Sequence, residues 1–590
     1  MRRPDVILVH PPSVYDFRER AIFYGPISDV IPSSTVFEMY PIGFATLAAY
    51  LRRHGRKVRI VNLALRMMRS RSFDPERYLG KLRPRLFGID LHWLPHAHGS
   101  VEVARLLKRL HPDIPIVFGG ISSTYFHEEL VSEPAVDFVL RGSVTEPCLL
   151  ELVREVEGAG RFGRIPNLTW KEEGEARVNP AAFVPAAFDA YDYDLGYMVR
   201  EVVGRLDFWT TVPFHSWWSH PITAILTVRG CSRNCVTCGA SDQAFGGFMP
   251  GTHPLFRSPE AIAAQAAGLA VLTRAPIFLV GDVNDGGPEY ARTVVEELAR
   301  TGVSNRIVFE FFEPPPAGFV ERVDASLPHW GAELSPESHH EGVRARLGKG
   351  RYTNADLEDG IARILDTRAE NLDLFYMVGL PGQTYEHVMG TVDAIERLFR
   401  RFDPRLSAFI TPMGPFIDPG SVGFEFPGAE GYRLRARTLA EHRRLLEQGD
   451  WESILNYETD AMTRAEIVDA TYDAAERLNA LKLEHGRIGA ERAGAVAGRL
   501  ARARELRGRI REAGGELDPE THDELLGEIR AFSESTVNDK TELFPPGAFL
   551  RNFRIGGILK LLAGELLRPV LRRLRPDPPE PRLSSELFPG

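Results

Sequence analysis

Three of the four cysteines in the 590-residue chain fall within eight positions, at Cys231, Cys235 and Cys238, a Cys-x3-Cys-x2-Cys spacing. They follow an apolar run at 224–228 that predicts a strand entering a glycine-punctuated loop. Thiolates are the usual ligands of iron–sulfur clusters, and a compact loop can aim three sulfurs at one small cluster. Three are one short of the full set for a four-iron cluster, so one iron keeps open positions where a substrate or cofactor can bind and react. The competing reading is a structural zinc loop. Zinc takes four ligands, usually as two separated pairs, and the remaining cysteine, Cys148, stands alone.

Such a loop needs a frame, and strand–helix alternation supplies one. From 221 to 430, apolar runs at 276–280, 307–310, 331–335 and 374–378 alternate with helical stretches. This predicts an incomplete parallel β/α barrel, a partial (β/α)6, with its site at the carboxyl ends of the strands. Polar groups and turns gather after those runs: Gly281 and Asp282, then Glu333, Ser335, Glu337 and Ser338, then Pro381 and Gly382 ahead of Thr384. Arg344 on the next helix either forks onto a carboxylate or is solvated. Residues 349–356 read as a turn feeding a helix capped by Thr353, with Asp356 at its third position. The stretch 409–421, dense in proline and glycine, closes the barrel. Met413 and Phe416 read as core, and Asp418 as a loop cap or a group facing substrate.

With these motifs in this order, the segment resembles the radical S-adenosylmethionine (SAM) enzymes. The resemblance implies that Cys231, Cys235 and Cys238 hold a [4Fe-4S] cluster whose open iron chelates the methionine end of SAM. It implies reductive cleavage to a 5′-deoxyadenosyl radical, and SAM contacts from Thr237, Gly281, Asp282, Glu333, Ser335, Glu337, Arg344, Pro381 and Gly382. There are two departures. Thr237 precedes the third cysteine where an aromatic residue is usual, and Gly281-Asp282 stands in place of the usual Gly-Gly-Glu.

Residues 5–190 also alternate strands and amphipathic helices, the pattern of an open parallel sheet of Rossmann-like, flavodoxin-like type. Strands are predicted at 5–10, 58–62, 86–90, 116–120 and 137–142, with helices at 41–53 and 101–110. Ligands of such sheets bind beyond the carboxyl strand ends. The segment resembles the cobalamin (B12)-binding domain found ahead of many radical SAM domains, which implies cobalamin contacts from Ser13, Asp90, His92, Gly119, Gly120, Ser122 and Gly142. The Asp-x-His-x-x-Gly loop that supplies an axial histidine in some B12 proteins is missing after the first strand. His96 has Leu94 where that aspartate would stand and is not read as the ligand. His10 and His92 read as loop or supporting histidines. The alternative is a flavodoxin-like domain kept for architecture or substrate binding.

The expected organisation is a B12-binding-like domain at 1–190, an aromatic-rich linker at 191–220, the barrel at 221–430, a mainly α-helical region at 431–575 and a disordered tail at 576–590. The linker carries Phe208, Trp209, Phe214, Trp217 and Trp218 with His215 and His220, and reads as packing between domains. The charges of 490–513 read as a solvated helix face. The amphipathic, basic stretch 549–575 either docks on the protein's own body or lies on an anionic membrane surface.

The chain is 44% hydrophobic and 26% charged with net charge −9, which predicts a soluble, cytoplasmic α/β protein, peripheral to a membrane at most, without broad nucleic-acid binding. Its cysteines do not form a disulfide framework, and Cys148 reads as a small buried hydrophobe. The expected function is that of a cobalamin-dependent radical SAM enzyme, a B12-dependent methyltransferase acting on an unreactive carbon. Its cofactors would be a [4Fe-4S] cluster, SAM and cobalamin. Its partners would be a small-molecule or lipid-like substrate and an external electron donor of flavodoxin or ferredoxin type. The alternatives are rearrangement, cyclisation or oxidation without methyl transfer, and a non-catalytic metal or corrinoid sensor. No residue is singled out as catalytic.

Overall fold

The computed structural model describes residues 3–574, apart from 27–30, 32, 206, 208–211, 222, 252–253, 513–518, 530–535, 544, 546 and 548. Phe208, Trp209 and the tail at 576–590 therefore lie outside the described residues.

The first domain is built on a seven-stranded sheet of order β2-β1-β3-β4-β5-β6-β7. Its strands are β1 (Val6–His10), β2 (Val58–Asn62), β3 (Leu86–Asp90), β4 (Ile116–Gly119), β5 (Phe138–Leu140), β6 (Leu168–Glu172) and β7 (Glu175–Val178). β1 to β5 are parallel, in the 2-1-3-4-5 order of flavodoxin-like sheets. β6 and β7 extend the edge antiparallel, a pair that alternating apolar runs do not announce because β7 is exposed throughout.

β1 and β3 are buried along their whole length, as strands covered on both faces must be. The period of two sends Val6 and Leu8 into one core, with the helices Ile42–Arg53 and Glu146–Glu157, and Ile7 and Val9 into another. That second core includes the helix Ala97–Leu110 and runs on into the barrel, so the domains share apolar packing.

After the helix Leu195–Arg205 come β8 (Thr223–Leu226) and a short antiparallel pair, β9 (Val228–Arg229) with β10 (Leu255–Phe256). The barrel strands β11 (Ile277–Val280), β12 (Ile307–Phe311), β13 (Trp330–Glu337), β14 (Leu372–Val378) and β15 (Leu406–Pro412) follow. The six parallel strands keep sequence order from β8 to β15, the expected partial barrel. Register breaks once, between Leu334 and Glu337 on β13, where Glu337 takes φ +64°. A bulge of this kind re-aims a side chain next to a site.

The last part of the chain is mainly helical, as expected, with one short antiparallel pair, β16 (Tyr432–Leu434) and β17 (Tyr457–Thr459). The helix Arg464–Glu484 packs on β15 and on the helix Tyr385–Arg401, covering the open side of the barrel. The segment expected to present a solvated face, the helix Ala490–Glu512, buries Val496, Leu500, Leu506 and Ile510. It also buries Arg507, whose guanidinium pairs with Glu452 at 2.6 Å and with Asp469. Burial of one charge is tolerated there because the other is beside it.

Residues 191–220 are more than a linker. The helix Leu195–Arg205 packs against the C-terminal helix Ile555–Leu574, and Trp217, Trp218 and Phe553 form one aromatic knot with ring separations of 5.0–5.5 Å. The C-terminal helix thus docks on the body of the protein, and its outer side leaves Ile555 and Leu559 exposed. No helix among the described residues is long and apolar enough to cross a membrane.

Gly99 on the helix Ala97–Leu110 lies flat on the turn after β1, donating its N–H to Ser13 O at 2.9 Å, and an added Cβ would drive into the Pro12 carbonyl. Gly119, by contrast, faces open space. Gly99→Ala is expected to cost about 2 kcal/mol by overpacking, lowering the melting temperature by roughly 5 °C, whereas Gly119→Ala changes it little. Thermal denaturation followed by circular dichroism checks the pair.

Candidate active site between the two sheets

The cysteine loop leaves β9 through Gly230, which takes φ +80°. Its shape is imposed by neighbours. Val236 N–H donates to Leu347 O at 2.8 Å, and Gly423 N–H donates to Val236 O at 2.7 Å. Asp418 grips the far end, accepting from Gly239 N–H at 3.0 Å and donating its own N–H to Thr237 O at 3.2 Å. Gly348 takes φ +85° directly under Asn234 O, where a Cβ would stand 2.5 Å away. Inside the loop, Arg233 turns from the sulfurs, donates its backbone N–H to Cys231 Sγ at 3.4 Å, and forks onto Asp285 at 2.7 and 3.1 Å. Asp418 is thus the clamp of the loop, and burial pushes its carboxyl up to about 6.

Cys231, Cys235 and Cys238 are free thiols on one loop, while Cys148 is buried in the other core. Burial pushes all three loop thiols up, Cys238 to about 12, so they become thiolates at neutral pH only against a cation. Among the described residues no three His, Cys, Asp or Glu side chains converge on a single metal ion. In a four-iron cluster each thiolate meets a different iron, and three donors without a fourth fit such a cluster with one iron left open.

The residues expected to face SAM lie around this loop. Gly281, at φ +97°, is pressed onto Thr227 and Val228 and donates to Glu310 Oε2 at 2.6 Å. The Asp282 carboxylate caps its own turn, accepting from Asn284 N–H at 2.9 Å and Phe312 N–H at 3.0 Å, and burial raises it to about 6. Glu337, re-aimed by the bulge, pairs with Lys349 Nζ at 2.9 Å through Oε1, while its buried Oε2 has no partner. Burial opposes the charge of Lys349, but the ion pair with Glu337 outweighs it and keeps the ammonium protonated. A buried, unpartnered acceptor beside the cysteine loop fits an incoming ammonium or hydroxyl group.

Arg344 is not a solvated helix arginine. It is fully buried, donating to Ser338 O and Tyr352 O at 2.9 Å each and stacking on the Tyr352 ring, so its fork orders the loop after β13. The turn holding Pro381 and Gly382 is fixed by Gln383, which takes Gly379 N–H at 2.9 Å and returns a donor to Met377 O at 3.0 Å. Met413 and Phe416 are buried core. Glu333 and Ser335 are half-buried on β13. Glu333 sits in register between Glu310 and Asp373, and burial with those two neighbours pushes its carboxyl far above the ordinary range. Glu310 and Asp373, which flank the expected Glu333, together with Lys349 and Arg233 are site features that sequence reasoning missed. The available signal was a carboxylate in each of three apolar strands.

Across from the loop stand the carboxyl ends of β1 and β3. Burial alone would raise the Asp90 carboxyl, but His10 and His92 outweigh it and hold it well below the usual carboxylate range. His10 Nδ1 lies 3.0 Å from Asp90 Oδ1, and His92 Nδ1 lies 2.8 Å from Oδ2. Gly120 takes φ +121° against the His92 backbone, where a Cβ would come within 2.5 Å. Ser13 and Ser122 are buried beyond the ends of β1 and β4, either side of β3, and Gly142, at φ +129°, donates to Thr124 Oγ1 at 3.1 Å. A cavity of about 70 Å³ separates the two walls, lined by His92, Trp93 and Ser122 on one side and Gly239, Ala240 and Asp418 on the other. Glycine backbone and polar side chains at the sheet's switch point suit close approach by the edge or tail of a corrinoid.

Residues 29–150 match the family model described as the B12 binding domain. An uncharacterized methyltransferase of Pyrococcus horikoshii is 28% identical over 208 residues, covering 34% of this chain and 41% of that protein. The anaerobic magnesium-protoporphyrin IX monomethyl ester cyclase of Synechocystis is 23% identical over 284 residues, covering 47% and 52%. The chain thus spans about half or less of the length of the curated relatives it matches. Among solved structures, TsrM from Kitasatospora setae, a radical SAM methyltransferase bound to tryptophan and a SAM analogue, superposes with a TM-score of 0.56 at 18% identity, covering 81% of this chain and 88% of that one. The chain thus carries a match to the B12 binding domain at residues 29–150, joined to a partial barrel in the fold shared with this radical SAM methyltransferase.

Proposed function

We propose that this protein is a cobalamin-dependent radical SAM enzyme that transfers a methyl group to an unreactive carbon. One observation carries the reading: the strand ends of the B12-binding domain and the three-cysteine loop form opposite walls of one cavity. When bound, the cluster supplies reductive cleavage of SAM and the corrinoid supplies methyl transfer; the protein's part is to hold, orient and shield. Cys231, Cys235 and Cys238 would ligate the cluster, with Asp418, Leu347 O and Arg233 fixing the loop. Glu337 Oε2 would accept from the SAM amine, and Lys349, paired with Oε1, would hold that carboxylate in place. Trp93, packed edge-on against Phe37 at 5.4 Å, would exclude water at the junction. An external flavodoxin- or ferredoxin-type donor would supply the electron, and the substrate would be a small or lipid-like molecule.

A second reading, ring closure or rearrangement without methyl transfer, is favoured by the similarity to the Synechocystis cyclase. Product analysis separates the two. Methyl transfer yields S-adenosylhomocysteine beside 5′-deoxyadenosine under reducing, anaerobic conditions, and ring closure yields 5′-deoxyadenosine alone. Neither product means that the radical reading fails.

Cys238→Ala is expected to lose the cluster's reduced-state EPR signal and all 5′-deoxyadenosine formation while the chain stays folded by circular dichroism. Glu337→Gln is expected to keep the cluster but weaken SAM binding by about tenfold to a hundredfold, the worth of a hydrogen bond to a charged group. Anaerobic calorimetry with SAM measures it, and an unchanged affinity would remove Glu337 from the site.

A further inference from the structure

The C-terminal helix Ile555–Leu574 is held by its inner face, which fixes what its outer face presents. Its start is hooked to the barrel through backbone: Arg554 N–H donates to Leu272 O at 2.9 Å and Arg274 N–H to Asn552 O at 2.7 Å. Gly557 lies flat on the Val271 carbonyl, which an added Cβ would strike, so the helix is pinned in rotation as well. Ile558 and Leu561 pack on the core that holds Val212, Trp217 and Phe553. On the other side Ile555 is 51% and Leu559 60% exposed, with Lys560 and Ala563 exposed beside them. Residues four apart on a helix lie one above the other, so Ile555, Leu559 and Ala563 form one apolar stripe. Val203 is exposed too, on the helix Leu195–Arg205 that packs along this one. Of the ten large apolar side chains exposed among the described residues, three thus fall on a single helix pair, which sets this face apart from the rest of the surface.

Between the same two helices lies a recess of about 160 Å³, lined by Met198, Val199, Val203, Trp217, Trp218 and Ile558 among others. No charged or hydroxyl side chain lines it, so water gains little there, and an apolar cavity of this size takes a benzene-sized group. Charge says what covers the face. The chain carries −9 overall, yet residues 549–574 hold five arginines and one lysine against one glutamate. A basic helix with an apolar outer stripe suits the interface of an anionic bilayer. Protein interfaces are poor in lysine at their core, and Lys560 stands next to Leu559. We propose that this face docks on an anionic phospholipid bilayer, with the end of one acyl chain in the recess beside Val203. Docked in this way, the protein works at a surface where lipid-like molecules are concentrated. Nothing in the docking depends on the cofactors, so it holds or fails apart from the proposed chemistry.

Sedimentation of the full chain with sucrose-loaded vesicles tests this. Equimolar phosphatidylcholine and phosphatidylglycerol should carry the chain down at low salt and release it as ionic strength rises, and phosphatidylcholine alone should carry down little. Leu559→Glu, an exposed change whose folding is checked by circular dichroism, should weaken binding about tenfold or more. In the anionic vesicles, acyl chains brominated near their methyl ends should quench the fluorescence of Trp217 and Trp218. Val199→Phe, which adds bulk to the recess, should keep vesicle binding and lose that quenching. No binding to anionic vesicles, equal binding to both compositions, or unchanged binding of Leu559→Glu would overturn the docking and leave the face to a protein partner. Quenching that is absent, or that Val199→Phe leaves unchanged, would overturn the placement of the chain.

Discussion

A loop that must carry three thiolates cannot hold its own shape. Burial opposes the charge on each sulfur, so until a metal arrives the thiols are neutral, and inside the loop only Arg233 N–H, at 3.4 Å from Cys231 Sγ, draws on a sulfur. Its geometry is imposed from outside by hydrogen bonds to backbone. Leu347 O, Gly423 N–H and Asp418 each take hold of a different peptide, and they come from parts of the chain more than a hundred residues further on. The rest of the barrel follows from this need, because those three anchors meet at the loop only when the six strands are laid side by side in sequence order.

The same requirement explains the polar interior. Arg233 would be a cation among the sulfurs, but Asp285 and Glu313 draw it to one side. Lys349 is retained beside Cys235 by Glu337, whose strand is bulged for the purpose. Buried charges of this sort seldom add stability over apolar packing. They preset the field around the loop, and Glu337 is left with a free acceptor that can be satisfied only by something that enters.

Between the domains, polar and apolar links act together. Tyr125 donates to Glu425 at 2.7 Å, and Arg443 binds Glu102 at 2.7 Å and Glu133 at 3.3 Å. Arg229 spans from the start of the cysteine loop to Ser143 O and, at 3.6 Å, to Glu146. These contacts set the spacing of the two walls over a shared apolar core. The wall spacing places Asp418, which grips the cysteine loop, beside the cavity that His92 lines.

The sequence by itself determined the fold class, the positions of the five parallel strands of the first sheet and of five of the six barrel strands to within a few residues, and the cysteine trio. Each of these depends on local periodicity or on short spacing, which a chain displays without being folded. It also pointed to the strand ends that hold Asp90, His92 and Gly120, because ligands of parallel sheets gather at strand ends. Only the tertiary structure decided which groups in that neighbourhood are free. Arg344 and Asp282 carry suitable chemistry, yet backbone groups brought in by folding occupy them. Glu310, Lys349 and Arg233 gain their importance from partners distant in sequence. The difference between His10, fully buried between Asp90 and the Phe37 carbonyl, and His92, which lines the cavity, is a matter of what packs around each ring, which residue order does not record.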